Sequence, residues 1–302
     1  MLNVISNRKV FLSLSGLLVV VSATVIIIFG FIQGVDFKGG TLWQFQITEN
    51  TPEKAALENF IEENLGVGDV QLNFDQNNGN FFLRFKEITE DTHQTFFKTL
   101  ENQYSGFEEL SFQSIGPSVG ENLRKNAIIA VVLSLIAVSL YIAFVFRKTS
   151  KPISSWKYGV VTMVTLSHDI VIPAGILAVL GRYIGLEIDS NFIVALMVIM
   201  GFSVHDTIVV FDRIRENLTL DQGRSDFGKV INDSVNQTIA RSINTSLTLI
   251  LVLLALYFVG PVNLKFFILT LLIGTTAGVY SSIFVASPLL LTWHNLGKRI
   301  NK

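Results

Sequence analysis

Six long apolar segments dominate the hydrophobic pattern of the chain. They are residues 10–32, 127–146, 158–180, 190–211, 242–261 and 266–291. About 20 apolar residues in helical form cross a bilayer core, so each segment is long enough to span a membrane. Buried helices of soluble proteins normally keep a polar face, which these segments lack. The pattern predicts an α-helical membrane bundle with six transmembrane helices.

The first segment follows Arg8 and Lys9, as the apolar part of a secretory signal would. Its apolar run is longer than the roughly 7–15 residues of a signal core. We therefore expect a first helix that is retained in the mature protein.

Residues 34–125 follow a different pattern. Strands are expected near 41–47, 69–74, 80–86 and 107–112, with a hairpin turn at 76–79, and helices at 52–65 and 89–104. Thr51 is expected to cap the first helix, with Pro52 at its first position. The order βαββαβ is typical of ferredoxin-like α+β folds, which serve many unrelated functions. The predicted domains are 1–33, with the N-terminus and first helix, 34–125, and 126–302 with the other five helices.

Charge predicts the orientation. With a cytoplasmic N-terminus, the inner segments 1–9, 147–157, 212–241 and 292–302 hold fourteen Lys and Arg. The two short outer loops hold only Arg182 and Lys265. This asymmetry obeys the positive-inside rule, so both termini of this multi-pass membrane protein are expected in the cytoplasm and the domain 34–125 outside.

Composition narrows the function. Only 16% of the 302 residues are charged, the net charge is −1, and there is no cysteine. Nucleic-acid binding, disulfides and thiolate metal sites are therefore not expected. No catalytic constellation or zinc-binding spacing is found, so we expect neither an enzyme nor a metal site. In the outer domain, His93 is expected to be solvated, and a surface for an extended chain is the functional interpretation.

Ionisable residues inside apolar segments mark the candidate site, because they are costly in lipid. Asp206 in the fourth segment and Arg241 before the fifth are expected at similar depth, where they could face each other. The polar residues predicted beside them form a polar seam of Ser203, Thr207, Thr245 and Thr248.

Each of these residues also has a structural interpretation. Arg241 could snorkel to the interface, and Asp206 could make a buried hydrogen bond. His205 and Asp169 are further relay candidates, although Asp169 could simply pair with His168.

Glycine-bearing segments join the outer domain to the first two helices. They contain the predicted hinge residues Gly39, Gly40, Gly116, Pro117 and Gly120. Glycine permits unusual backbone angles and proline stiffens its own position. Hinges for a swinging domain and simple tight turns remain equally open interpretations.

Four stretches resemble the SecF family. Three are Gly-Val-Asp-Phe-Lys-Gly-Gly-Thr at 34–41, Gly-Pro-Ser-Val-Gly at 116–120 and the long motif at 201–217 that contains Asp206. The fourth is Arg-Ser-Ile-Asn-Thr-Ser at 241–246, where the family commonly has Arg-Thr. A second departure is His205, where the family usually has asparagine, and an imidazole titrates near neutral pH.

The resemblance implies a proton-driven role in protein export. SecF pairs with SecD, in an arrangement similar to resistance-nodulation-division transporters, and the pair associates with the SecYEG channel. It helps to pull the exported preprotein outward after the ATP-driven motor SecA. Asp206 and Arg241 match family positions implicated in proton transport. The coupling ion is the proton, and no other cofactor is implied.

Two rival hypotheses remain. The chain could be half of a small-molecule or lipid exporter of the same superfamily, or a static scaffold of the translocon. The scaffold would tolerate neutral residues at positions 206 and 241.

Overall fold

A computed structural model describes residues 2–66, 70–75, 78–148, 153–222, 224–261 and 264–300. The chain divides into two compact units. The first contains Met1–Ile32, Ile129–Glu187 and Asn191–Lys302, and the second contains Gln33–Ile128 with Ile188–Ser190.

The secondary structure alternates between long helices and one strand-rich stretch. The first part contains α1 (Arg8–Phe29), β1 (Ile32–Gln33), α2 (Val35–Lys38), β2 (Gly40–Ile47), α3 (Lys54–Leu65), β3 (Gln71–Asp75), β4 (Asn80–Phe85), α4 (Glu90–Gln103) and β5 (Phe107–Ile115). The second part contains α5 (Pro117–Val145), a 3-10 turn (Phe146–Lys148), α6 (Ser155–Ile184), β6 (Glu187–Ile188), α7 (Ser190–Asp221), α8 (Phe227–Val259), α9 (Lys265–Ser281), a π-helical segment (Ser282–Ala286) and α10 (Ser287–Ile300).

Six helical stretches of the described chain are long and apolar enough to cross a membrane, which confirms that prediction. They are α1, α5, α6, α7, α8 and the continuous stretch Lys265–Leu296. Several are longer than the apolar segments that predicted them. Helix α7 continues ten residues beyond 211, and α8 begins fifteen residues before 242. A helix makes its backbone hydrogen bonds internally, in water as well as in lipid, so it can continue beyond the membrane. The apolar segment therefore gives only the part of the helix that lies in lipid.

The centre of the helical unit is built from α6, α7 and α9, which carry most of the buried side chains of the spanning helices. Small residues let these helices approach closely. A Cβ at Gly175 of α6 would lie 2.5 Å from Ser22 of α1. A Cβ at Gly278 of α9 would lie 3.1 Å from the Cβ of Ser203 on α7. Close approach through small residues is the usual way in which helices pack when lipid surrounds them.

The second unit contains a four-stranded antiparallel sheet in the order β3-β4-β2-β5. Its elements follow the chain order strand, helix, strand, strand, helix, strand, as the sequence predicts. The core lies between the sheet and helices α3 and α4. Its fully buried members include Trp43, Phe45, Leu57, Leu83 and Leu100.

The predicted cap at Thr51 is wrong, and part of the strand and turn predicted at 69–79 lies outside the residues that the structure describes. Thr51 does not cap α3, because its hydroxyl donates to the carbonyl of Ile47 and the helix begins at Lys54 after Glu53. The strand predicted at 69–74 is seen as Gln71–Asp75. Residue 69 and residues 76 and 77 of the predicted turn lie outside the described residues.

The prediction that His93 is solvated is wrong. Its side chain is buried and stacks on Phe112, with ring centroids 3.6 Å apart. Nε2 of His93 lies 2.7 Å from a Glu109 carboxylate oxygen, and Nδ1 lies 3.2 Å from Glu90. The sheet supplies Glu109 and Phe112 from β5, so only the tertiary structure decides that this helix face is covered.

Candidate functional site

Asp206 lies in the middle of the helical unit on α7 and is only 6% exposed. Its carboxylate accepts a hydrogen bond from the Ser246 hydroxyl of α8 at 3.1 Å. The residue borders a cavity of about 430 Å³ between α7, α8 and α9. The lining residues are Val198, Gly201, Phe202, Ser203, His205, Asp206, Thr245, Ser246, Leu249, Thr275, Gly278 and Val279. A cavity of this volume is large enough for several water molecules.

Helix α8 presents a stripe of small hydroxyl side chains to the interior. Ser234, Thr238, Ser242 and Ser246 recur every four residues, and all four are buried. Ser246 is the member that reaches Asp206. Our sequence analysis missed this stripe, although its spacing places all four residues on one helix face.

Asp169 forms a second buried carboxylate centre and is fully buried on α6. Its oxygens accept hydrogen bonds from the Ser203 hydroxyl of α7 and, at 2.7 Å, from the Ser281 hydroxyl of α9. Nδ1 of the neighbouring His168 lies 2.8 Å from Oδ1. The expected contact between His168 and Asp169 is therefore present, and the same carboxylate joins three helices.

The two carboxylate centres meet at Ser203. This residue lies one helical turn before Asp206, borders the cavity and donates to Asp169. Two irregularities flank Asp169. Pro173 lies one turn further along α6 and leaves the Asp169 carbonyl without its helical N–H partner. The π-helical segment begins directly after Ser281, and such segments frequently occur at functional sites.

The structure does not bring Asp206 and Arg241 together. Arg241 is exposed on α8, whereas Asp206 is buried and bonded to Ser246. Within the described parts of the chain, no ion pair links the two side chains. Arg241 and Ser246 are five residues apart, which separates them by about 140° around a helix. The face of α8 that meets α7 is the hydroxyl stripe, and Arg241 lies on another face.

The predicted polar seam is only partly assembled. Ser203 and Thr245 border the cavity, and Thr207 is fully buried on α7. Thr248 is exposed and donates to the carbonyl of Asn244, so it lies outside the cavity lining. His205 borders the cavity beside Asp206, with an exposed side chain. Ser246 and Thr275 also border the cavity and Ser281 contacts Asp169, and none of these three hydroxyls was predicted.

The two glycine-bearing segments pack against each other within the second unit. Gly39 has φ +81°, and a Cβ there would lie 2.7 Å from Cα of Pro117. A Cβ at Gly120 would lie 3.0 Å from the backbone nitrogen of Gly39, whereas one at Gly116 would meet nothing within 4 Å. Gly40 also has a positive φ, of +119°. Gly39 and Gly120 are therefore needed for close approach, while Gly116 has space.

Asp36 anchors the same joint and was missed as a site residue. It is 6% exposed, and both carboxylate oxygens are used. Gln113 of β5 donates to one oxygen, and the backbone N–H of Ser190 donates to the other at 2.7 Å. Its position in the motif at 34–41 was the available signal.

Comparisons with known proteins cover nearly the whole chain. The family model described as "Protein export membrane protein SecD/SecF, C-terminal" matches residues 95–296, which include Asp169, Asp206 and Arg241. "Protein translocase subunit SecF" of Thermobaculum terrenum is 40% identical over 304 residues, covering 98% of this chain and 95% of that protein. The same-named protein of Anaerolinea thermophila is 34% identical over 297 residues, with coverage of 98% and 95%.

A solved structure agrees with these sequence relatives. The crystal structure of SecDF from Thermus thermophilus, described as a translocon-associated membrane protein, superposes with a TM-score of 0.80 at 32% identity. The match covers 97% of this chain and 39% of that one, so this chain spans less than half of the fused protein. With a family model over two thirds of its length and relatives that match it almost end to end, the chain belongs to the SecD/SecF family of protein export membrane proteins.

Proposed function

We propose that this chain is the SecF-like subunit of a SecDF complex, which uses the proton-motive force to aid a late step of protein export. The observation that carries the proposal is the buried carboxylate of Asp206, which borders a cavity inside the membrane-spanning unit. Ionisable side chains in spanning segments are costly, and their retention favours a role in moving ions or protons. The subunit is not an enzyme, and its coupling ion is the proton.

Asp206 is the proposed proton carrier. As a carboxylate it only accepts hydrogen bonds, whereas the protonated acid also donates one. Uptake of a proton therefore allows Asp206 to donate to Ser246 as well as accept from it, across the interface between α7 and α8. Asp169 bonds to Ser203 in the cavity wall, so movement of α7 is transmitted to α6 and α9. His205 beside the cavity is a proposed entry point for the proton.

Arg241 is proposed to act across the interface with SecD. It is exposed on a spanning helix, and no ion pair of this residue is found in the described parts of the chain. A guanidinium facing lipid is expensive, and a partner subunit that supplies an acceptor would remove that cost. The Thermus thermophilus relative is a single chain named as a SecDF subunit, which supports SecD as the partner here.

The proposed orientation places both termini in the cytoplasm and the second unit outside. We assign that unit as an extracytoplasmic ferredoxin-like domain, supported by its βαββαβ order and antiparallel sheet. It binds the emerging preprotein, while SecYEG forms the channel and SecA pushes from inside. The packed joint of Gly39, Pro117 and Gly120 is the proposed hinge for its swing.

The decisive experiment measures export of a secreted protein in cells that carry or lack this chain, with and without an uncoupler. We expect deletion to slow export and to remove the additional slowing by the uncoupler. Equal uncoupler sensitivity in both strains would contradict proton coupling. Asp206→Asn should behave like the deletion while its membrane abundance stays normal.

The same strains separate the rival functions. A static scaffold predicts normal export with Asp206→Asn. Half of a small-molecule exporter predicts altered drug or lipid efflux with unchanged protein export. For the partner assignment, Arg241→Met should lower co-purification with SecD in mild detergent, and Arg241→Lys should retain more of it.

A further inference from the structure

A second cavity, of about 660 Å³, lies in the helical unit between the first turns of α1 and the later turns of α10. Its lining consists of Arg8, Lys9, Leu12, Ser13, Thr292, Asn295 and Leu296. Helix α1 is one of the candidate spans, so its first turn lies at the polar end of a membrane crossing. None of its lining residues belongs to the Asp206 or Asp169 centres.

The charge of this cavity is one-sided. Its lining contains two cations and no carboxylate, together with the Ser13 hydroxyl and the Asn295 amide, which can donate hydrogen bonds. The Thr292 hydroxyl already donates to the carbonyl of Pro288 at 2.8 Å. The neighbouring cavity of about 480 Å³ shares Arg8 but also contains Asp226, Asp233 and Lys229, so its charges balance.

The two cations are available to a ligand. One guanidinium nitrogen of Arg8 donates to the carbonyl of Ile5 at 3.1 Å, and its other donors remain. Within the described residues, neither Arg8 nor Lys9 forms an ion pair. A phosphate group matches the donors of this cavity in charge and in hydrogen bonding.

An apolar face continues from the cavity along α1. Gly16, Val20 and Ile27 follow Lys9 and Ser13 at helical spacing. Val20 is 62% exposed and Ile27 83% exposed, and a Cβ at Gly16 would meet nothing within 4 Å. The ligand that fits both features has an anionic head and a hydrocarbon chain that lies along this helix.

We propose that this cavity is a binding site for the phosphate headgroup of an anionic phospholipid, with an acyl chain along the Gly16, Val20 and Ile27 face of α1. Basic pockets at the polar end of spanning helices bind such headgroups. Arg8 and Lys9 hold the phosphate, and the hydroxyl of Ser13 and the amide of Asn295 donate to its oxygens. The proposal requires only that the chain spans a membrane and is independent of proton coupling.

The test is a lipid titration of the purified full chain in neutral detergent, followed by native mass spectrometry with phosphatidylglycerol and, separately, phosphatidylcholine. We expect tighter binding of phosphatidylglycerol. One cation near an anionic group contributes about fivefold in affinity, so Arg8→Gln with Lys9→Gln should weaken that binding about 30-fold. The matched control, Arg182→Gln with Lys265→Gln, removes two cations outside this cavity and should bind like the wild type.

Further arms keep the result interpretable. Lys9→Gln alone spares the Arg8 contact to Ile5 and should still weaken phosphatidylglycerol binding about fivefold. Arg8→Lys with Lys9→Arg should retain most of it. Equal binding by the double Gln variant and the wild type, or an equal loss in the control, would overturn the proposal. Displacement of the lipid by millimolar inorganic phosphate would assign the cavity to a free anion instead.

Discussion

The hydroxyl of Ser246 donates a hydrogen bond to the Asp206 carboxylate at 3.1 Å, and this contact joins α8 to α7 beside the central cavity. One turn earlier on α8, the hydroxyl of Ser242 is equally buried but has no hydrogen-bond partner among the described residues. Ser246 therefore contacts Asp206 and lines the cavity, whereas Ser242 is not among the lining residues.

This pair gives a matched test of the Asp206 contact. Ser246→Ala should reduce proton-dependent export several-fold and destabilise the protein by about 2 kcal/mol, because a hydrogen bond to a charged group is lost. Ser242→Ala removes no hydrogen bond, so it should leave export unchanged and alter the free energy of unfolding by less than about 0.5 kcal/mol. Export assays and thermal melting in detergent measure both effects. Identical behaviour of the two variants would show that the Ser246 contact has no functional part.

Asp169 is expected to matter more for stability than Asp206. It accepts hydrogen bonds from side chains on three helices, and removing one partner of a buried charged network typically costs about 3 kcal/mol. Asp169→Asn should therefore lower the melting temperature and the membrane abundance, and Ser281→Ala should do so less. Membrane abundance is read by immunoblot. Normal abundance combined with lost export would instead assign Asp169 to the proton relay.

The glycine joint offers a second matched pair. Gly120→Ala places a methyl group 3.0 Å from the backbone nitrogen of Gly39, whereas Gly116→Ala places one in open space. We expect Gly120→Ala to impair export by tenfold or more and Gly116→Ala to be nearly neutral. Membrane insertion should be normal in both, because neither position lies in an apolar segment. The test is export measured in strains with equal membrane abundance of the two variants. An equal loss of export in Gly120→Ala and Gly116→Ala would contradict the packing argument.

The second unit should fold in isolation and become less stable in acid. Residues 36–115 are expected to be soluble with a mixed α/β circular dichroism spectrum, and a random-coil spectrum would contradict this.

Hydrogen bonds from Gln94 and His93 lower the pKa of Glu90 below its usual 4.5. Because the pKa of Glu90 is lower in the folded state than in the unfolded state, ionised Glu90 stabilises the domain at pH values above its unfolded-state pKa. This stabilisation is lost as the pH falls through its folded-state pKa.

Urea unfolding at pH 7 and pH 3.5 measures that contribution. Glu90→Gln should lose less stability on acidification than the wild type does. Glu62→Gln removes an exposed carboxylate of α3 and should keep the full acid sensitivity. An unchanged acid sensitivity in Glu90→Gln would show that its contacts do not stabilise the domain.

The sequence by itself determined the six spans and the order of the α+β elements. Lipid requires an uninterrupted apolar helix, and a half-buried strand requires alternation, so both patterns are visible in the residues alone. It also identified Asp169 and Asp206 as interior carboxylates, because each lies within an apolar run where charge is costly.

Only the tertiary structure decided which side chains these carboxylates meet. Depth along a helix follows from residue number, but rotation about its axis is set by the neighbours that pack against it. Arg241, the partner expected for Asp206, therefore lies on an exposed face of α8. Ser246, about 140° away around the same helix, contacts Asp206 instead. The burial of His93 has the same cause, since strand β5, which follows it in the chain, covers it. Partners from distant segments leave no local signal, and packing alone selects them.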